Sequence, residues 1–85
     1  MIERSTDVMS ALVGEEIVLV HVNAGLYFGL TNTARAIWEL LESPRTLDDL
    51  CDALAKRYSS NLETLRSETE RFIKELAYEG IVLLR

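Results

Sequence analysis

The apolar residues of this 85-residue chain change their period once, near Thr31, and that change governs what the chain can fold into. Before Thr31 they recur close to every second residue, the spacing of side chains along one face of a strand. After it they recur every three or four, the spacing of a helical stripe. Strands therefore come first and helices second. With 9.6 kDa to fold, area scaling leaves roughly 60–65% of the unfolded surface buried. That suffices for one core, so residues 1–85 are read as one α+β domain without a deep substrate cavity.

Three strands are expected. Val8 to Leu12 is the first, ended by Gly14 and the Glu15–Glu16 pair. Ile17 to Val22 is β-branched and almost wholly apolar, which suits a strand central in its sheet or covered on both faces. Asn23-Ala24-Gly25 tolerates positive φ and reads as a hairpin loop. Leu26 to Leu30 returns as the third strand, with Leu26, Phe28 and Leu30 on one face and Tyr27 and Gly29 on the other. The result is an antiparallel meander.

Three helices follow. Thr31 and Asn32 can cap the first, whose stripe is Ala34, Ile37, Trp38 and Leu41. Ser43-Pro44-Arg45 stops it, because the residue before proline is pushed out of helical geometry. Thr46 caps the second, with Asp48 and Asp49 complementing its dipole and Leu47, Leu50, Cys51, Leu54 and Tyr58 as its stripe. Ser60 with Glu63 forms a capping-box pattern for the third. Its stripe is Leu62, Leu65, Thr69, Phe72, Ile73 and Leu76, and Gly80 stops it. Ile81 to Leu84 is a short terminal strand or tail. Three strands and then three helices suggest a winged helix-turn-helix-like domain, the strands forming the wing.

Most chemistry is excluded for want of parts. Cys51 is the only cysteine, so no internal disulfide or cysteine-based zinc site can form, and its place on an apolar stripe marks a buried thiol. His21, the only histidine, lies inside the most hydrophobic strand, where a structural or edge role is expected. Asp48, Asp49 and Asp52 read as a solvated helix end. The four glycines are isolated, so no phosphate loop exists. No catalytic residue, metal or cofactor is expected. Fourteen acids against nine bases, a net charge of −5, argue against nucleic acid. The third helix sets Arg66, Arg71 and Lys74 against Glu63, Glu68, Glu70, Glu75 and Glu79, a pattern that repels phosphate. Without a signal-peptide profile or an apolar run of about 18–20 residues, the expectation is a chain that acts in the reducing cytoplasm, away from membranes.

What remains is a surface for peptides. In a meander the third strand is an edge, and Leu26 to Leu30 carries neither charge nor proline, the usual protections of an edge. Such a strand is a template for an added one. The competing expectation is that Ile81 to Leu84, or a second copy of the chain, covers it.

The run Leu26-Tyr27-Phe28-Gly29-Leu30-Thr31-Asn32-Thr33-Ala34-Arg35-Ala36-Ile37-Trp38-Glu39-Leu40-Leu41 closely resembles the family of pyrroloquinoline quinone biosynthesis protein D. The family shows a tyrosine-rich strand, Leu-Asn-x-Thr-Ala and an Ile-Trp-Glu-Leu-Leu helix. Leu30, Asn32, Thr33 and Ala34 match here, with Thr31 standing between leucine and asparagine. Thr46-Leu47-Asp48-Asp49-Leu50 is similar to the family's Thr-x-x-Glu-Leu. Phe72-Ile73-Lys74-Glu75-Leu76 with Glu79-Gly80-Ile81-Val82 is similar to its closing segment. The resemblance runs from about Val8 to the end.

It implies a recognition element for ribosomally made, modified peptides, which binds a precursor's leader as an added strand and presents it to an enzyme. A small acidic chain of this kind looks most like the stand-alone member of lasso peptide pathways, whose companion is a leader-removing cysteine protease. The cofactor-pathway member serving a radical enzyme is the nearest competitor, and a DNA-binding winged helix or a dimerisation domain are the other classes. Candidate peptide-binding residues are Leu26, Tyr27, Phe28 and Gly29 on the strand with Arg66, Thr69, Glu70, Phe72, Ile73, Lys74 and Leu76 on the third helix. Thr69 and Ile73 are favoured for the groove and Phe72 for the core. Arg66, Glu70 and Lys74 are placed on the rim.

Overall fold

The computed structural model describes residues 1–58 and 61–85. Its elements run β1 (Ile2–Arg4), β2 (Val8–Val13), β3 (Glu16–His21), β4 (Leu26–Leu30), α1 (Asn32–Leu40), α2 (Leu47–Arg57), α3 (Leu62–Tyr78) and β5 (Val82–Leu84). The α+β expectation holds: β2, β3 and β4 form a three-stranded antiparallel sheet in that order, and three helices follow. The likeness to a winged helix is one of element order.

The three expected strands lie within a residue of their expected ends. β3 is the centre, which is why its sequence is so apolar. Ile17 and Leu19 are buried, while Val18 and Val20 on the other face stay half-exposed. The β3–β4 loop needs one residue at positive φ, and Gly25 supplies it at 67°. β4 pairs with β3 through Ile17↔Leu30, Leu19↔Phe28 and His21↔Leu26, which turns Phe28 and Leu30 toward the helices.

One strand was not anticipated. Ile2–Arg4 pairs antiparallel with Val82–Leu84 in a separate two-stranded sheet, and Ile2 also bridges Arg45. The terminal strand therefore closes on the chain's own start and leaves β4 uncovered. Arg4 stacks on the Trp38 ring, 4.2 Å from its centroid, and its Nη2 donates to the Trp38 carbonyl. Burial lowers the pKa of this guanidinium.

The helices begin and end for local reasons. Thr46 accepts from the Asp49 N–H at 3.1 Å and starts α2. α1 starts differently: Thr31 occupies the cap position without a side-chain hydrogen bond, and Asn32 follows at φ 53°. Asparagine tolerates the left-handed region, so Asn32 turns the chain from strand into helix rather than capping it. The Ser60–Glu63 capping box falls on a residue outside those described. Asn61 performs the capping, accepting from the Glu63 and Thr64 N–H groups at 2.9 and 3.1 Å. α3 ends as expected at Gly80, whose φ of 76° lets Gly80 N–H reach the Ala77 carbonyl and Ile81 N–H the Leu76 carbonyl. His21 Nε2 lies 3.1 Å from where a Gly80 Cβ would sit, so the helix end also packs on β3.

Leu19, Leu41, Leu50, Leu54, Ile81 and Val82 form the fully buried centre, joined by Ile37, Trp38, Leu65 and Ile73. Each such aliphatic side chain stabilises the fold by roughly 1.5–3 kcal/mol. Leu62, expected on the α3 stripe, is instead 58% exposed. It is the first residue of the helix.

Candidate functional site

The open edge of β4 is set by the register. Val22 N–H donates to the Asp7 carbonyl beside the Val8–His21 pair, so the peptide groups of His21 face away from β2 and toward β4. His21 pairs with Leu26, so Leu26, Phe28 and Leu30 direct their N–H and C=O groups to β3. Tyr27 and Gly29, between them, direct theirs outward. Among the described residues no strand meets that side of β4. By the same parity Val8, Ser10 and Leu12 turn their peptide groups to the outer side of β2, a second open edge that the sequence reading did not consider.

What distinguishes the β4 edge is the helix beside it. Phe28 and Leu30 face Phe72 and Leu76 across a cleft of about 380 Å³, bounded by Glu75, Tyr78 and Glu79. Phe72 also walls an adjoining pocket of about 130 Å³, formed with Thr33, Ala34, Ile37, Glu68 and Thr69. Tyr27 is 75% exposed on the other face of the strand. Beside it the Glu16 carboxylate lies over Gly29, where a Cβ would meet it.

The structure sorts the expected site residues into two groups. Phe28, Gly29, Phe72 and Leu76 meet in the β4 cleft, and Thr69 lines its extension. The favoured pair is buried rather than poised at a groove surface: Thr69 is 1% and Ile73 4% exposed, whereas Phe72 is the half-buried one. Arg66, Glu70 and Lys74 are not on this rim. Arg66 hydrogen-bonds Asp48 of α2 at 2.6 Å, which raises its pKa. Glu70 and Lys74 pair at 3.2 Å and line, with Ile73, Ile2, Leu47 and Leu84, a different cleft of about 440 Å³ on the opposite flank of α3.

Residues the sequence reading missed are Glu68, Glu75 and Glu79, which share the Phe72 flank. Their offsets from Phe72 of −4, +3 and +7 are the helical neighbours of that residue, so the signal was present once Phe72 was placed at the cleft. Among the described residues no lysine or arginine lines either pocket.

Elsewhere the reactive side chains are occupied or withdrawn. His21 Nδ1 accepts from the Ala24 N–H at 3.2 Å. Cys51 is 3% exposed, and burial raises the pKa of its thiol. Among the described residues no helix is long and apolar enough to cross a membrane.

Residues 16–82 match the family model for coenzyme PQQ synthesis protein D. None of the curated proteins matches the sequence. Two solved structures superpose on nearly the whole chain. One, TbiB1 in complex with the TbiA(beta) leader peptide, is 32% identical with a TM-score of 0.87, covering 94% of this chain and 93% of that one. The other, a lasso peptide synthetase B1 complexed with the leader peptide, is 19% identical with a TM-score of 0.85 and covers 98% of both chains, a likeness of fold.

Proposed function

The chain belongs to the coenzyme PQQ synthesis protein D family, and from that premise we propose that it binds the leader region of a ribosomally made precursor peptide, without catalysis, and presents it to a processing enzyme. The observation that carries this reading is the outward-facing peptide groups of Tyr27 and Gly29 beside the Phe28–Phe72 cleft. A leader segment of about five residues adds to β4 as a fourth strand of its sheet, and its cleft-facing side chains fill the space against α3.

The energetics divide the work. Each main-chain hydrogen bond is worth a net ~0.5–1.5 kcal/mol and is blind to sequence. An apolar anchor in the cleft adds roughly 1.5–3 kcal/mol, and so supplies the selectivity. Ordering a flexible leader costs about 2–5 kcal/mol, which leaves micromolar to nanomolar affinities. The 32% identical neighbour is in complex with a leader peptide, which favours leader binding here. The pathway that fits a small stand-alone chain of this family is that of a lasso peptide, with a leader-removing cysteine protease as recipient and action in the cytoplasm where precursors are made. The cofactor-pathway role of the family is the second reading.

Amide hydrogen exchange tests it. With the leader of the neighbouring precursor reading frame bound, the Tyr27 and Gly29 amides should slow at least tenfold, while those of Ser10 and Leu12 on β2 stay unchanged. Protection on β2 instead would move the peptide to the other edge. No protection anywhere, at a concentration giving a fluorescence polarisation signal, would remove strand addition.

A further inference from the structure

We infer that the guest strand recognised here carries a basic side chain, held in the smaller pocket by Thr69 and Glu68, an even number of residues from the apolar side chain that fills the larger cleft. The inference rests on strand addition to β4 and goes further, because it assigns a ligand chemistry to one subsite.

Thr69 Oγ1 is the first observation. It is buried, has no hydrogen-bond partner, and belongs to a side chain 1% exposed that lines the pocket. A buried hydroxyl left unsatisfied is destabilising, and it is resolved when a ligand supplies the missing partner. The remaining walls define that ligand. Ala34, Ile37 and Phe72 present apolar surface, and Glu68 adds a carboxylate. A long apolar stem ending in a cationic head meets all of these at once: the stem lies along the apolar walls and the head donates to Thr69 Oγ1 and the Glu68 carboxylate.

The charge around the cleft selects the same sign. Glu75 and Glu79 continue the acidic flank along the larger cleft, and among the described residues no lysine or arginine lines either space. On the opposite flank of α3 the cations are already matched, Arg66 by Asp48 and Lys74 by Glu70. Arg71, adjacent to Phe72 in sequence, is exposed and lines neither space, whereas three carboxylates do. An acidic guest side chain would face Glu68 at close range. The spacing follows from strand geometry. The larger cleft lies between β4 and α3, the smaller pocket between α1 and α3, and Phe72 walls both, so side chains that reach them project from the one face of the guest strand that is turned to the helices.

Random dodecapeptides displayed on phage, selected on the full chain and then titrated as fluorescein-labelled synthetic peptides, test this. Binders that fail on the Tyr27→Pro variant are those that use β4. These should be enriched in Lys or Arg at an even offset from an apolar or aromatic residue. Changing that basic residue to Gln should weaken binding about tenfold, the worth of a charge-assisted contact. On Glu68→Gln, whose site is exposed and whose fold should be unaffected, the same change should make little difference, and Glu68→Lys should favour acidic peptides. Tyr27→Pro-sensitive binders without basic enrichment, or with a basic residue indifferent to Glu68→Gln, overturn the inference and leave strand addition standing. A selection that yields no Tyr27→Pro-sensitive binder overturns both.

Discussion

Phe72 and Ile73 are adjacent on α3 yet sit in different surroundings, and single substitutions should separate them. Ile73 is 4% exposed within the core. Replacing it with Asp buries a carboxylate without a partner, against a total stability of about 4–13 kcal/mol for a chain of this size. Ile73→Asp should unfold the domain, seen as lost circular dichroism at 25 °C. Phe72 is half-buried, so Phe72→Ala should keep a native spectrum while lowering leader affinity about 10- to 100-fold by fluorescence polarisation, the worth of one apolar anchor. Equal loss of structure in both variants would contradict this division. The sequence assigns these two residues the other way round, and the reason is physical. Thr69, Phe72, Ile73 and Leu76 form a stripe too wide for one contact surface, and periodicity identifies such a stripe without saying which border meets the core. Only the position of β4, set by pairing across the sheet, decides that Phe72 is the border left partly open.

At the scale of elements, β4 offers a test that leaves its own sheet intact. The Tyr27 N–H points outward, so proline there removes no bond to β3, and an edge strand tolerates proline on its solvent side. Tyr27→Pro should retain the fold and weaken leader binding about tenfold, through one lost donor and a blocked approach. Ser10→Pro places the same ring on the outer side of β2 and should leave binding unchanged by fluorescence polarisation. Equal effects from the two would mean that the leader does not distinguish the edges. β2, β3 and β4 were legible because alternation over five or six residues, with Gly25 in one turn, is a local signal. β1 was not. Ile2-Glu3-Arg4 has three residues, two of them charged, and becomes a strand only because Val82–Leu84 returns to pair with it from the far end of the chain. Likewise Glu70, Lys74 and Arg66 were legible as polar helix positions, and the Glu70–Lys74 spacing of four is itself a local signal. The Asp48 partner of Arg66 on α2 and the second cleft that Glu70 and Lys74 line are tertiary facts.

For the whole molecule, the small sheet and the cleft beside it mean that the resting chain leaves part of its own architecture incomplete. β4 is held from one side by β3, while its other side and the Phe28–Phe72 surface wait on solvent. A guest strand that completes both binds the folded state and not the unfolded one, so binding and stability are linked. At a free leader concentration of one hundred times Kd, that linkage is worth about 2.7 kcal/mol. In a domain of this length it should raise Tm by roughly 10–20 °C, since each kcal/mol moves Tm by about 4–8 °C. Differential scanning fluorimetry of the chain with and without leader reads this directly, and Tyr27→Pro should shrink the shift because its affinity is lower at the same concentration. A leader that binds by polarisation at these concentrations yet leaves Tm unmoved would be binding folded and unfolded chains alike. Strand addition, which requires the β3–β4 register to exist first, forbids that outcome.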